Sequence, residues 1–381
     1  MVERPYLDFY STHGANLVSR EITDRGRFFL AREQLYVALG IAPHLLEGKS
    51  ILEFGPGTGH NALYTNSLSP KRFVLVDGDE AILDASRDRL EAQGLPLVQR
   101  EYVHALFEEF KTDEKFDLVI AEACIPNQPA PAETLRRMLT FVKPGGTMVF
   151  TTVSAASWLS EITRRIAKFR CRTPDGAVDV EVLSHKLAPH FAELQEMARS
   201  PKEWILDNLL QPLSRGELFS IPNAINALTE EYLVSGSSPS FVQDWRWYKD
   251  VSTSRSTKHA EIIDQYHKHI AHFLDRRVTG STGTAAYGEL VESHCLEIWK
   301  GVISIEKAKS EKTGAFENLL LDLSSLARLV ADISPVTARS LEEAVDWIGG
   351  GLERQELEFF PNWWGRAQQH IGVIKSRYSL R

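Results

Sequence analysis

The sequence is poor in cysteine: Cys124, Cys171 and Cys295 are its only three, far apart and without a C-x-x-C pair. That excludes a disulfide framework and fits a reducing compartment, so a cytoplasmic protein is expected. Each thiol reads as a small buried hydrophobe. Positive charge is also short, with 43 Lys and Arg against 51 Asp and Glu, a formal net charge of −8. Binders of nucleic acid usually present a basic face to the phosphates, so this balance argues against such a partner. No apolar run approaches the ~18 uninterrupted residues that span a bilayer, and no membrane span is expected. The most apolar late stretch, "FENLLLDLSSLARLVADI", is broken by Asp322, Arg328 and Asp332 at helical spacing and reads as an amphipathic core helix. The opening "MVERPYLDFYSTHG" has no apolar core, and Glu3 and Asp8 oppose a transit peptide. Neither glycine nor proline is enriched and no repeat is visible, so no long disordered region is implied.

What is present is an alternation. After a mostly helical start, with apolar residues at helix spacing in "REQLYVALGI", strands are expected at "SILEF" (50–54) and "KRFVLVD" (71–77). A third lies within "LPLVQREYVH", a fourth is "KFDLVIAEA" (115–123) and a fifth is "GTMVFTTV", after a "KPGG" turn. Helical segments separate them: "HNALYTNSL", "AILDASRDRLEAQG" and "AETLRRMLTFV". Alternation of this kind implies an α/β fold with a doubly wound, mostly parallel sheet. The pattern stops near Val153. Residues 156–230 are helix-rich, 230–250 read as two short strands around a Gly-Ser-Ser-Pro turn, and the remainder is helical again.

The first strand runs into a glycine turn, "SILEFGPGTGHNALY". A strand that ends in glycines and opens a helix lets the backbone approach a ligand and presents free N–H groups. A phosphate-cradling P-loop would need Gly-Lys-Ser/Thr, whereas the turn ends Gly59-His60-Asn61. The dinucleotide pattern G-x-G-x-x-G fails from Gly55 at His60; from Gly57 it meets Ala62, which only the looser G-x-G-x-x-A form allows, so that reading is weakened and stays open. The pattern acid-x-Gly-x-Gly-x-Gly is met throughout by Glu53, Gly55, Gly57 and Gly59. It resembles the first motif of the class I S-adenosylmethionine-dependent methyltransferases. An acid beside the turn would repel a pyrophosphate and suits an ammonium.

Further segments extend the resemblance over about residues 45–153. Asp77 ends the second strand, where an acid accepts hydrogen bonds from ribose hydroxyls, and Asp79 in "VDGDE" is the nearby alternative. "FDLVIAEA" followed by "LTFVKPGGTMVF" is similar to the family's fourth strand and its Lys-Pro-Gly-Gly turn before the fifth. The family often places an adenine-binding acid after the third strand; here His104 and Ala105 stand there, so either His104 or the backbone would do that work. The resemblance implies a Rossmann-like core at 49–155 that binds S-adenosyl-L-methionine and releases S-adenosyl-L-homocysteine. An N-terminal lid (1–48), a helical insertion (156–228), the last strands of the core sheet (229–251) and a C-terminal helical extension (252–381) surround it. The additions would shape an acceptor site or a homodimer contact.

Methyl transfer from a sulfonium is an in-line displacement, and protonated oxygen or nitrogen acceptors also call for a general base. Ligands of doubly wound sheets sit beyond the carboxyl ends of the strands, which points to three segments. Tyr10 and His13 in "DFYSTHG" lie where many family members have a lid, Tyr10 toward the cofactor and His13 as a candidate base. Glu122 and Asn127 lie in "AEACIPNQP", the loop after the fourth strand, which the family commonly uses for substrate, so both should lie near the methyl group and Glu122 is a candidate catalytic residue. Asp244, Arg246 and Tyr248 in "QDWRWYKD" would share one face of a strand and suit a sugar-like acceptor, with Asp244 a further candidate catalytic residue. His267, His269 and His272 are read as a helix face and not a metal site, because only the last two share a face. "FFPNWWGR" (359–366) receives no role. The expected activity is methylation of a small-molecule or saccharide acceptor. The alternatives are aminopropyl transfer or NAD-dependent redox chemistry on the same fold, and a non-catalytic scaffold.

Overall fold

The computed structural model describes residues 9, 12, 22–92, 98–174, 176–194, 197, 199–212, 218–244, 247, 249, 255–280, 283–308, 314–353 and 356–378. They fall into two compact units. One comprises the described residues of Met1–Thr152, Phe219–Ile263 and Gln369–Arg381; the other comprises those of Val153–Leu218 and Asp264–Gln368.

The first unit is built on a seven-stranded sheet: β1 (Ser50–Phe54), β2 (Arg72–Asp77), β3 (Gln99–His104), β4 (Phe116–Ala121), β5 (Val142–Val153), β6 (Tyr232–Ser238) and β7 (Gln368–Lys375), in the order β3-β2-β1-β4-β5-β7-β6. The pairs β1–β2, β2–β3, β1–β4 and β4–β5 are parallel, and β6–β7 is antiparallel. Four helices follow the alternation of the sequence: α1 (Arg25–Ala38), α2 (His60–Ser67), α3 (Glu80–Ala92) and α4 (Pro131–Leu139). β1 is buried at all five positions, as a central strand covered on both faces must be. Ile51 packs into a cluster with Tyr36 and Leu39 of α1 and Leu63 and Tyr64 of α2. On the opposite face Phe54 meets Phe107 and Phe110, with ring centroids 5.6 Å away in each case. Side chains alternate along a strand, so Glu53 shares the α1 face with Ile51.

The sheet's strand order reverses at β1, between β2 and β4. Beyond the carboxyl ends of such strands lies the ligand crevice of doubly wound folds.

Three expectations from sequence are corrected here. "KPGG" does not reverse the chain: it buckles within β5, opposite a register shift between Phe116 and Leu118, with Gly145 at φ +81°. Among the described residues, 230–250 give one strand, not two. The expected turn at Gly236 lies inside β6, as an irregularity where a Cβ would collide with the Ala38 carbonyl. Pro239, which has no N–H to offer a ladder, follows the end of β6. Its partner β7 comes from the far C-terminal segment, where only helix was expected: Ile371 and Val373 are buried in a run too short to stand out after a long helical region.

The second unit is helical, and its two segments, read from sequence as separate additions, fold together. Leu159–Ala167 is buried along its whole length. Its Arg165 reaches Glu306 of the helix Ala285–Lys307 at 2.6 and 2.9 Å. Phe360 and Trp363 of "FFPNWWGR" are buried, and Phe360 packs on Trp347 of the helix Pro335–Gly349. His267 is not on a solvated face: it is buried, with Nε2 3.0 Å from Glu292. The helix Ile221–Ala227, placed with the insertion by its sequence, belongs to the first unit.

Candidate active site

The turn after β1 is held by Gly55 N–H donating to Val76 O (2.9 Å) and by Arg89 Nε, which donates to the Thr58 carbonyl at 2.7 Å. Gly55, Gly57 and Gly59 take φ of +64°, +56° and +81°, which disfavours any side chain. Their surroundings differ. A Cβ at Gly55 would meet Cys124 at 2.8 Å, and one at Gly59 would meet Ser86 at 2.7 Å, so both serve the packing of the protein itself. A Cβ at Gly57 would meet nothing within 4 Å. The middle glycine faces open space, so a ligand could approach its backbone closely.

Glu53 stands at the mouth of this turn and is 3% exposed, and its Oε2 has no hydrogen-bond partner. Burial, then the neighbouring charge of Glu122, push its pKa up to about 8, against the opposing pull of Arg32. A buried acceptor without a donor is costly, and a cationic donor could satisfy this one.

Arg32, absent from the sequence reading, comes from α1 and is itself buried. Its Nη1 and Nη2 donate to Glu122 Oε2 and Oε1 at 3.0 and 2.9 Å, a two-pronged fork. Burial works against the Arg32 charge, but Glu122 outweighs it and the guanidinium pKa is raised. Asn61 Nδ2 donates to Glu122 Oε2 at 2.7 Å, and His370 Nε2 of β7 lies 3.8 Å from Oε1. Glu122 is thus a fixed carboxylate with both oxygens engaged, which weighs against a direct catalytic role as a proton acceptor.

The readable signal for Arg32 was its place on an apolar stripe with Phe29, Tyr36 and Leu39, at spacings of three and four. Asn61 and His370 had no such signal.

The two acids after β2 separate by their partners. Asp79 Oδ1 accepts from the N–H of Ala81 (3.0 Å) and Ile82 (3.3 Å), which makes it the N-terminal cap of α3. Asp77 Oδ1 accepts the Asp79 N–H at 3.1 Å, and the Gly78 N–H also favours its charged form. Burial raises its pKa to about 6, with the Asp79 N–H pulling the other way. Beside it, in register on β3, His104 is exposed with Nε2 3.2 Å from the Gly78 carbonyl, and Ala105 N–H donates to Asp77 O at 2.9 Å.

In the loop after β4, Ala123 takes a positive φ of +59° and its N–H donates to Thr151 Oγ1 at 2.7 Å. Asn127 is half-buried in the same loop. Asp244 is in no strand and is ion-paired with Lys258. Tyr10, His13, Arg246 and Tyr248 lie outside the described residues.

An open glycine cradle, a buried acid with an unused oxygen and a second acid at the next strand end therefore meet at the switch point of the sheet. Residues 27–198 match a family model described as a methyltransferase domain. The matched segment is similar to a class I S-adenosylmethionine-dependent methyltransferase domain.

Over 105 residues the chain is 30% identical to the ubiquinone/menaquinone biosynthesis C-methyltransferase of Vibrio vulnificus (strain YJ016), covering 27% of this chain and 40% of the relative. Over 111 residues it is 29% identical to the ubiquinone biosynthesis O-methyltransferase of Stutzerimonas stutzeri, covering 29% of this chain and 46% of the relative. Among solved structures it is similar to an N-methyltransferase of Bradyrhizobium japonicum in complex with S-adenosyl-L-homocysteine. That match is 18% identical, covers 41% of this chain and 76% of that chain, and has a TM-score of 0.31. The chain spans about two fifths of the length of the first curated relatives it matches.

Proposed function

We propose that this protein binds S-adenosyl-L-methionine at the β1/β4 switch point and transfers its methyl group to a small-molecule or saccharide acceptor. The observation that carries this reading is the unpaired Oε2 of buried Glu53, beside the open face of Gly57. The donor set fits: an ammonium would satisfy Glu53, and a ribose diol would donate to Asp77, which no side chain is recorded to engage by a hydrogen bond. A pyrophosphate would meet two carboxylates, which weighs against the NAD reading.

When bound, the cofactor supplies an electrophilic methyl group on a sulfonium. The protein's contribution is to hold the donor by its two ends and to exclude water from the line of attack. Orientation of that kind can lower a barrier by ~7 kcal/mol. In this reading Glu122 is a positioning residue, since the Arg32 fork and Asn61 fix it at the end of β4. The relatives' names include carbon and oxygen methylation, so the proposal stays with the acceptor class and leaves the atom open. Three free cysteines suit a reducing compartment such as the cytoplasm. Among the described residues no helix is long and apolar enough to cross a membrane.

Calorimetric titration with S-adenosylhomocysteine tests the reading. The wild type should bind one equivalent, and Gly57→Val and Asp77→Ala should each abolish binding while remaining folded by circular dichroism. Undiminished binding in both variants would refute the site, and no binding by the wild type would favour the scaffold alternative.

A further inference from the structure

With both Glu122 oxygens engaged by Arg32 and Asn61, the proton released by a protonated acceptor needs another destination. A further element reaches the same carboxylate. His370 stands near the start of β7, two places beyond β4 in the sheet order, and its Nε2 lies 3.8 Å from Glu122 Oε1. That is too long for a hydrogen bond and short enough for charge to be felt. The Glu122 side chain is 7% exposed and the His370 side chain 22%, so the acid is sealed in while the imidazole stays within reach of a small molecule. The strand order fixes the side as well. Asp77 on β2 and the glycine turn after β1 lie to one side of β4, and β7 lies to the other. A ligand that spans β2 and β1 leaves the β5–β7 end of the crevice to the molecule it reacts with.

We propose that His370 Nε2 is the proton acceptor of the transfer, and that the acceptor it serves is a hydroxyl group. This rests on the S-adenosylmethionine reading and goes one step further. As the hydroxyl oxygen bonds to the methyl carbon, the carbon–sulfur bond breaks and its electron pair stays on sulfur, which becomes a neutral thioether. The hydroxyl proton passes to Nε2, so the neutral imidazole becomes an imidazolium and the product is a neutral ether. The positive charge that began on sulfur ends on His370, beside the Glu122 carboxylate. Glu122 is a positioning residue here: Arg32 and Asn61 hold it, so its charge is in place before the imidazolium forms. Histidine suits the work because its ordinary pKa lies near neutrality. A hydroxyl needs it most, because it enters protonated and is a weak nucleophile until the proton leaves.

The test uses the full chain, S-adenosylhomocysteine, and two simple hydroxyl probes, phenol and 4-nitrophenol. By calorimetry His370→Ala should bind S-adenosylhomocysteine within about twofold of the wild type, which also shows that the variant is folded; His370→Gln is the second variant should the first not fold. In the complex with S-adenosylhomocysteine, at about pH 6.5 where free 4-nitrophenol is mostly protonated, the wild type should bind it as the yellow phenolate, and His370→Ala should not. As methyl acceptors at about pH 8, phenol still carries its proton and 4-nitrophenol has lost it. His370→Ala should therefore slow methylation of phenol by about 100-fold or more and that of 4-nitrophenol by less than about threefold, and added imidazole should restore part of the phenol rate. Glu122→Gln should show the same split, with a loss of about tenfold on phenol. Equal losses on the two probes would make His370 a merely structural residue and overturn the assignment, as would an unchanged phenol rate. A wild type that methylates neither probe and binds 4-nitrophenol only in its protonated form, or not at all, would overturn it too. So would loss of S-adenosylhomocysteine binding in both His370 variants. In each of these cases a wild type that binds S-adenosylhomocysteine keeps the cofactor reading intact; a wild type that does not bind it overturns both.

Discussion

Glu53 gives the site a pH dependence that can be worked out from its surroundings. Its carboxyl titrates at about 8 in the empty protein, raised by burial and by Glu122. Near neutrality the acid is therefore mostly protonated, and an incoming ammonium has to find it ionised. Binding then expels a proton, and affinity rises with pH until the carboxyl is ionised in the free protein. The ionised fraction is ~3% at about pH 6.5 and ~24% at about pH 7.5, so the apparent dissociation constant should fall about eightfold between them. Asp77, at about 6, is a minor contributor over the same interval. Its ionised fraction moves only from ~76% to ~97%, a factor of about 1.3. The assay is titration with S-adenosylhomocysteine at both pH values, in two buffers of different ionisation enthalpy. The enthalpy should differ between buffers by close to one proton per ligand at the lower pH. Glu53→Gln should flatten the dependence and subtracts any titration of the ligand itself. A constant affinity with buffer-independent enthalpy would refute the reasoning, as would an eightfold change that survives in Glu53→Gln.

Other perturbations separate groups that look alike in sequence. Asp79→Ala should leave cofactor affinity within about twofold but destabilise the fold by ~1 kcal/mol through loss of the α3 cap, measured by urea denaturation. Asp77→Asn, in contrast, should weaken S-adenosylhomocysteine binding with little change in stability. Gly55→Ala and Gly59→Ala should lower the melting temperature of the ligand-free protein, since their side chains would press on Cys124 and Ser86. Gly57→Ala should cost only the ~1 kcal/mol of its positive φ in the ligand-free protein, while ligand binding suffers. In the helical unit, His190 is fully buried between Trp347 and Phe360 with neither ring nitrogen hydrogen-bonded, and burial holds its pKa well below the usual histidine value. Because only the unfolded chain then takes up a proton, stability should fall as pH drops below ~6.5, by up to ~1.4 kcal/mol per unit. Denaturation of His190→Phe at two pH values should show a smaller loss on acidification, and an equal loss would refute the role given to this ring.

Much of the fold was legible because it rests on local patterns. Alternating strands and helices, each closed by its own glycine or acid, implied the parallel half of the sheet, and β1 to β5 follow it. The edge was not legible. β7 pairs with β6 across more than a hundred residues, and no local pattern records such a pairing. The candidate site divides in the same way. Glu53, the three glycines and Asp77 belong to strand ends and turns, so their spacing alone brought them to one end of the sheet. What spacing could not give was partnership. Asp77 and Asp79 are two residues apart in one turn, and only hydrogen bonding shows that Asp79 is committed to a helix. Glu122 looked available until Arg32, ninety residues away, was seen to hold both its oxygens. An arginine on the apolar stripe of α1 was the one visible clue, because a buried cation requires a buried acid.

A structure of the protein with S-adenosylhomocysteine bound would test the central claim most directly. The homocysteine ammonium should lie on Glu53 Oε2, its backbone-hugging portion over Gly57, and the ribose hydroxyls on Asp77. Density for the ligand elsewhere, or at this turn with its amino-acid end turned away from Glu53, would contradict it.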